Sequence, residues 1–268
     1  MHKVAAIQMT SVDEVERNMQ RARELLAEAA AAGAEVAVLP ENVGFMGRRD
    51  ADKLQVAECE GDGLMQSSLA AAARDFGIWV VAGTLPIRVP GEERVAAASF
   101  VYDDRGQQVA RYDKIHLFDV VVPGRDESYR ESRHIAPGVR AVVVDTPVGR
   151  LGLSVCYDIR FPELYRELSA AGAVWFAVPA AFTVPTGEAH WETLLRARAI
   201  ENLAAVVAAG QVGIHPSGRA TYGDSMVVDH WGTVLGRLPA SEGVVVAELD
   251  PVAQAEVRRE FPALTHRR

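Results

Sequence analysis

Three residues of this chain combine side-chain type and local setting in a way suited to acyl-transfer chemistry: Glu41, Lys114 and Cys156. Cys156 ends an apolar run (Leu151, Leu153, Val155) and precedes a segment of helical character, 161–171. A thiol at the end of a strand, just before a loop and a helix, stands where α/β enzymes place nucleophiles. A free thiol has a pKa of about 8.5, so at neutral pH it needs a base or a positive neighbour. The chain has seven histidines, none in a cysteine-protease pattern. A carboxylate whose pKa is raised by a pocket can serve instead, and Glu41, just after Val38-Leu39-Pro40, is the candidate. Amide hydrolysis also builds charge on the carbonyl oxygen, and a positioned ammonium such as Lys114 can meet it. Taken singly, each residue has an ordinary alternative. Cys156 could be a buried structural cysteine, Glu41 a surface turn residue, and Lys114 an ion-pair partner of Asp113 or Asp119.

One bias bears on Lys114. Of 28 basic residues only Lys3, Lys53 and Lys114 are lysines, and the rest are arginines. Lysine is a compact ammonium whose pKa shifts readily, whereas arginine does not give up its proton. A lysine at 114 therefore suggests a site that needs such a group, while Lys3 and Lys53 read as incidental.

The elements that must position these residues alternate along the chain. Strands are expected at 4–9, 36–39, 79–83, 96–102, 108–111, 142–145, 151–155, 174–178, 204–209, 225–229 and 244–249. Helices are expected at 15–32, 64–76, 161–171 and 191–201. Gly33 and Gly77 read as helix stops, and Asp104-Arg105-Gly106 as a hairpin turn. Residues 118–138 form a long irregular stretch rich in Pro, Gly and charge, and such loops are commonly functional. Alternation of this kind implies an α/β protein with sheets covered by helices. No low-complexity linker divides the chain, so one domain over residues 1–268 is expected.

With 268 residues, 49% hydrophobic and 24% charged, the chain is long enough for a substantial core. A net charge of −8 and the lack of a basic run argue against nucleic-acid binding. No apolar run is long enough for a membrane span and no signal peptide is read. The two cysteines, Cys59 and Cys156, suggest no disulfide framework and a reducing, cytoplasmic setting. There is no P-loop or G-x-G-x-x-G pattern. His190-Trp191-Glu192 matches the H-x-E of zinc deaminases but lacks the paired cysteines. No metal and no cofactor are expected.

Leu39-Pro40-Glu41, Asp113-Lys114-Ile115-His116-Leu117 and Val155-Cys156-Tyr157-Asp158 together resemble the nitrilase, or carbon–nitrogen hydrolase, superfamily. The likeness runs from the first strand to His266-Arg267-Arg268. It implies a four-layer α-β-β-α sandwich whose subunits pair as a homodimer or higher homo-oligomer. It implies a catalytic set of Cys156 as nucleophile, Glu41 as general base and Lys114 at the oxyanion, with the backbone N–H of Tyr157. It also implies a supporting glutamate from the 118–138 loop, here Glu131, with Asp126 and Glu127 as nearby competitors. Phe182 and Thr183 are expected to line the pocket. Arg219 and His215 are candidates to hold a substrate carboxylate. Asp158, Arg160 and Glu163 read as ion pairs fixing the loop, and Glu192, Arg196, Arg198 and Glu201 as helical pairs.

The stretches 178–183, 187–192 and 209–223 are similar to the Nit-type amidases, and among them to the group acting on deaminated glutathione. That likeness implies a small-molecule amide of the 2-oxoglutaramoyl type, giving 2-oxoglutarate and cysteinylglycine. The alternatives are an ω-amidase acting on 2-oxoglutaramate, a nitrile substrate, or a non-catalytic interaction protein on the same scaffold. The chain departs from that branch at His230, where proline is common, and at Leu203-Ala204-Ala205.

Overall fold

The computed structural model describes residues 1–121 and 128–268. The first half runs β1 (His2–Gln8), α1 (Val15–Ala31), β2 (Val36–Val38), α2 (Leu64–Phe76), β3 (Trp79–Val81), β4 (Leu85–Arg88), β5 (Val95–Tyr102) and β6 (Gln108–Asp113). A small hairpin, β7 (Asp119–Val121) and β8 (Ser128–Arg130), follows. The second half runs β9 (Val143–Thr146), β10 (Gly149–Leu153), α3 (Pro162–Ala170), β11 (Trp175–Ala180), α4 (Val184–Asn202) and β12 (Ala205–Gly210). It closes with the hairpin β13 (Val212–Ile214) and β14 (Ala220–Tyr222), then β15 (Ser225–Val228), β16 (Val234–Leu238), β17 (Gly243–Leu249) and α5 (Pro251–Glu260).

Two sheets form. One has the order β17-β1-β2-β3-β5-β4 with β6 added to β5, and the other the order β16-β15-β12-β11-β10-β9. Each is built round three parallel strands, β1, β2 and β3 in the first and β10, β11 and β12 in the second. The alternation within β1 shows why the sheets stack. Val4 and Ala6 join a core with Leu151, Phe176, Val206 and Met226 of the other sheet. Ala5 and Ile7 face Met19, Leu25 and Leu26 of α1. A strand buried on both faces reads as a continuous apolar run, as Val4-Ala5-Ala6-Ile7 does. Helices α1 and α2 cover the first sheet, and α3 and α4 cover the second. The expected four-layer α-β-β-α sandwich is therefore present.

Most elements fall close to their expected positions, and the differences have local causes. Helix α4 begins at Val184, seven residues before the expected start at Trp191. Pro185 and Gly187 look like breakers, but proline is tolerated in a first turn, where its missing N–H has no intrahelical acceptor anyway. Gly187 is needed because a Cβ there would meet the Tyr222 ring at 2.2 Å. The C-terminal helix α5 was not expected; its apolar content is low, and Asp250 starts it by accepting the N–H groups of Val252 and Ala253. Strands β4, β13, β14 and β16, also unexpected, are only three to five residues long. The hairpin turn at 104–106 is as read, with the Asp103 carboxylate accepting from Arg105 and Gln107.

Candidate active site

Glu41, Lys114 and Cys156 converge although they are far apart in sequence. Glu41 lies three residues beyond β2, Lys114 directly follows β6, and Cys156 lies three residues beyond β10. An isolated bridge between Met9 and Gln211 links the ends of β1 and β12, so both parallel sets point their carboxyl ends the same way. That is where open α/β sheets place ligands.

The turn carrying the thiol is strained. Cys156 opens a 3₁₀ segment, Cys156–Arg160, at φ +50°, a region costly for a non-glycine residue and concentrated at functional sites. Tyr157 is the second residue of that segment, so its N–H is among those a helix start leaves without an intrahelical acceptor. Glu41 is held through its main chain, where its carbonyl accepts from the Gln211 side chain at 2.9 Å. Gln211 is itself fixed by two hydrogen bonds to Ser11. Gly83 permits the close approach beside it, since a Cβ there would lie 1.9 Å from the Pro40 carbonyl oxygen.

The three side chains are nearly sealed from solvent, with exposures of 4% for Glu41, 2% for Lys114 and 7% for Cys156. Lys114 Nζ donates to Glu41 Oε1 at 2.8 Å, and to Glu131 Oε2 and Oε1 at 2.8 and 3.0 Å. Lys114 therefore pairs with neither Asp113 nor Asp119, which are taken by Arg111 and Ser132. Cys156 lines the same pocket as Glu41 and Ala181, and its thiol is close enough to Glu41 that each shifts the other's protonation. The result is a hydrogen-bonded row from carboxylate to ammonium to carboxylate, with the thiol beside its Glu41 end. Glu131 is steadied by the Phe118 N–H, which donates to Oε2 at 2.7 Å. Its competitors Asp126 and Glu127 lie outside the described residues.

Electrostatics fixes the resting protonation. Burial pushes the Cys156 thiol well above its ordinary value, and the Glu41 carboxylate adds to this against the opposing pull of Lys114. Burial likewise opposes ionisation of Glu41, but the Lys114 ammonium outweighs it and holds the carboxyl below the usual range. Lys114 is held well above its ordinary value despite burial, first by Glu131 and then by Glu41. The free site is thus a neutral thiol beside an ionised glutamate and an ammonium. The raised Glu41 pKa expected from burial is corrected: the lysine 2.8 Å away decides the sign.

The surrounding pocket contains every other expected residue except one. Tyr157, Phe182, Thr183 and Arg219 all line it. The Arg219 guanidinium donates to the Ala181 carbonyl and lies 4.9 Å over the Tyr129 ring. His215 is the exception. It is buried, with Nδ1 donating to the Ser11 carbonyl and Nε2 accepting from Thr221, so neither nitrogen is left for a substrate. The Arg196–Glu192 and Arg198–Glu201 pairs form on α4 as read. Among the described residues no cluster of His, Cys, Asp or Glu could hold a metal ion, and no helix is long and apolar enough to cross a membrane.

Asp158 has a larger part than a loop ion pair. It is fully buried and takes four donors: Tyr112 OH at 2.7 Å, Val155 N–H at 2.8 Å, His116 N–H at 3.0 Å and His116 Nδ1 at 2.7 Å. Two of those donor residues flank Lys114 and one adjoins Cys156, so a single carboxylate sets the register between the two segments. Replacing Asp158 by asparagine turns one acceptor into a donor facing donors. A loss of roughly 2–4 kcal/mol in denaturant-measured stability and a drop in kcat of at least about tenfold are expected.

The arrangement fits acyl transfer by a thiol, and comparison with known proteins places it. The carbon-nitrogen hydrolase family model matches residues 3–259. The chain belongs to the carbon–nitrogen hydrolase family. It is 40% identical to a deaminated glutathione amidase of Yersinia enterocolitica, over 99% of this chain and 92% of that protein. In structure it is similar to the Caenorhabditis elegans NitFhit protein, with a TM-score of 0.92 and 39% identity, covering all of this chain and 65% of that one. It is also similar to an amidase of Nesterenkonia sp. AN1, with a TM-score of 0.81 and 28% identity over 98% of this chain and 98% of the other. A mutant of that amidase shows Michael addition of acrylamide at its active-site cysteine. As a carbon–nitrogen hydrolase with amidase relatives, this chain is a hydrolase of carbon–nitrogen bonds other than peptide bonds.

Proposed function

We propose that this carbon–nitrogen hydrolase is an amidase that cleaves the terminal amide of 2-oxoglutaramoyl compounds, deaminated glutathione foremost, through a thioester on Cys156. The observation that carries the mechanism is the buried grouping of Cys156 with the hydrogen-bonded row Glu41–Lys114–Glu131 in one pocket. The similarity to relatives named deaminated glutathione amidase supports the substrate.

Each residue then has one task. As Cys156 Sγ attacks the amide carbon, Glu41 takes the thiol proton. The carbonyl oxygen becomes an oxyanion between Lys114 Nζ–H and the Tyr157 N–H, a kind of contact worth roughly 3–4 kcal/mol in the transition state. Lys114 has three N–H bonds and uses them on Glu41 and Glu131 at rest, so one is redirected to the substrate as charge develops. That redirection loosens the hold of Lys114 on Glu41 and raises the basicity of Glu41 when the proton must move. Glu41 then passes the proton to the amine nitrogen, and cysteinylglycine leaves. Water, deprotonated by Glu41, cleaves the thioester to 2-oxoglutarate and restores the thiol. Arg219, which is close enough to favour the ionised form of Glu41, would hold the acyl-end carboxylate. Phe182 and Thr183 would shape the wall.

The proposal extends to one domain over the whole chain, a cytoplasmic setting and a homodimer or higher homo-oligomer. It is supported by two free cysteines and by an exposed apolar cluster of Ile200, Trp231 and Phe261, in which the last two rings lie 5.7 Å apart. Paired turnover on deaminated glutathione and 2-oxoglutaramate tests the substrate, with Cys156→Ala as blank and 2-oxoglutarate as readout. The expected result is Cys156-dependent release from both, with the larger kcat/KM on deaminated glutathione. A reversed preference makes the chain an ω-amidase, and release from neither removes the 2-oxoglutaramoyl reading.

A further inference from the structure

Four cations line the pocket: Lys53, Lys114, Arg160 and Arg219. Lys114 is doubly paired with carboxylates, but among the described residues the other three form no ion pair with any. Among the described residues Arg160 meets His190 Nδ1 at 3.3 Å and the face of Phe182. Arg219 meets a carbonyl and a ring face, and its buried Nε has no hydrogen-bond partner among the described residues. Lys53 belongs to the 3₁₀ segment Asp50–Leu54. Its neighbour Asp52 is occupied by Arg49, which bonds it through the main chain at 2.9 Å and through Nε at 3.0 Å. Asp50, exposed on the same rim, forms no ion pair with Lys53. Unpaired cations round a pocket in an acidic chain mark a site that receives anions.

These cations sit at two depths. Arg219 donates to the carbonyl of Ala181, which is buried and lines the pocket with Cys156, so it belongs to the floor. Lys53 is half-buried on a surface segment and belongs to the rim. An amide attacked at the floor must release its amine outward, toward solvent. The acyl end therefore lies beside Arg219 and the amine portion passes the rim.

We infer that Lys53 is a specificity-determining residue that binds the carboxylate at the far end of the leaving group. This rests on the proposed amidase reading and names the group that distinguishes its two substrates. Deaminated glutathione carries a glycine carboxylate on the departing amine, whereas 2-oxoglutaramate releases only ammonia, which has no carboxylate to offer Lys53. The shortage of lysine in the chain fits this assignment, since a single mobile ammonium suits a flexible peptide terminus.

Lys53→Met tests the inference, because it removes the charge and keeps much of the stem on a segment away from the core. The expected result is a KM for deaminated glutathione raised about five- to tenfold with kcat preserved, and unchanged kinetics on 2-oxoglutaramate. Wild-type enzyme given deaminated glutathione with its terminal carboxylate converted to an amide should show the same loss, and Lys53→Met should add nothing to it. An unchanged KM, or equal losses on both substrates, overturns the role of Lys53 while leaving the amidase reading intact. A wild-type enzyme that does not turn over deaminated glutathione overturns the substrate reading and this inference together.

Discussion

Replacing Cys156 by alanine should lower amide hydrolysis by about 10⁴-fold or more while leaving the fold and substrate binding in place. The change removes one sulfur from a site that is 7% exposed and leaves the Lys114 contacts to Glu41 and Glu131 untouched. Serine should fare almost as badly. Its hydroxyl is a far weaker acid than a thiol, and Glu41, held below the usual carboxylate range by Lys114, is too weak a base to ionise it. Turnover and thermal melting of both variants check this, with melting expected to shift by only a few degrees. Alanine and serine variants that keep wild-type rates would remove Cys156 from the chemistry.

The second large effect is on Glu41. Glutamine at this position keeps the shape and can still accept from Lys114, but it cannot carry a proton between thiol, amine and water. A loss of roughly 10²–10⁴-fold in kcat/KM is expected. The pH profile gives a separate test. Because Lys114 depresses the Glu41 carboxyl, its base form survives below the ordinary carboxylate range and is lost only as pH falls through that lowered value. The raised Cys156 and Lys114 values keep both groups protonated through neutral and mildly alkaline pH. Wild-type kcat/KM should therefore be flat across the neutral region, with its acid limb below the ordinary carboxylate pKa. A thiolate–imidazolium pair would instead give a limb near the histidine range, about 6–7. A limb there would assign the base to a histidine rather than to Glu41.

The sequence was most informative where local chemistry and chain position agreed. Glu41, Lys114 and Cys156 each stood beside a strand end, and the fold brings those ends together. Glu131 was legible only through family likeness, because a glutamate in a charged loop has no periodicity to mark it. Asp158 was visible as a neighbour of the thiol but not as the hub that ties Tyr112 and His116 to the Cys156 turn, since those partners lie more than forty positions away. Lys53 reads in the sequence as incidental. The same lysine scarcity that singled out Lys114 applied to it, yet no strand end flanked it, and only the packed structure puts it on the pocket rim. His215 shows the converse error: a histidine near the right loop looked available, and two buried hydrogen bonds make it a strut. In the fold, long apolar or amphipathic elements such as α1 and β5 were legible, whereas α5 and the short strands depend on caps and on partners remote in sequence.

Rapid acid quench during turnover of deaminated glutathione, followed by mass analysis of the peptide containing Cys156, would capture the thioester itself. A 2-oxoglutaryl group on Cys156 is expected to appear with the first turnover and to disappear as substrate is exhausted. Hydrolysis proceeding at full rate with Cys156 unmodified at every quench time, or with the acyl group on another residue, would contradict a thioester on Cys156.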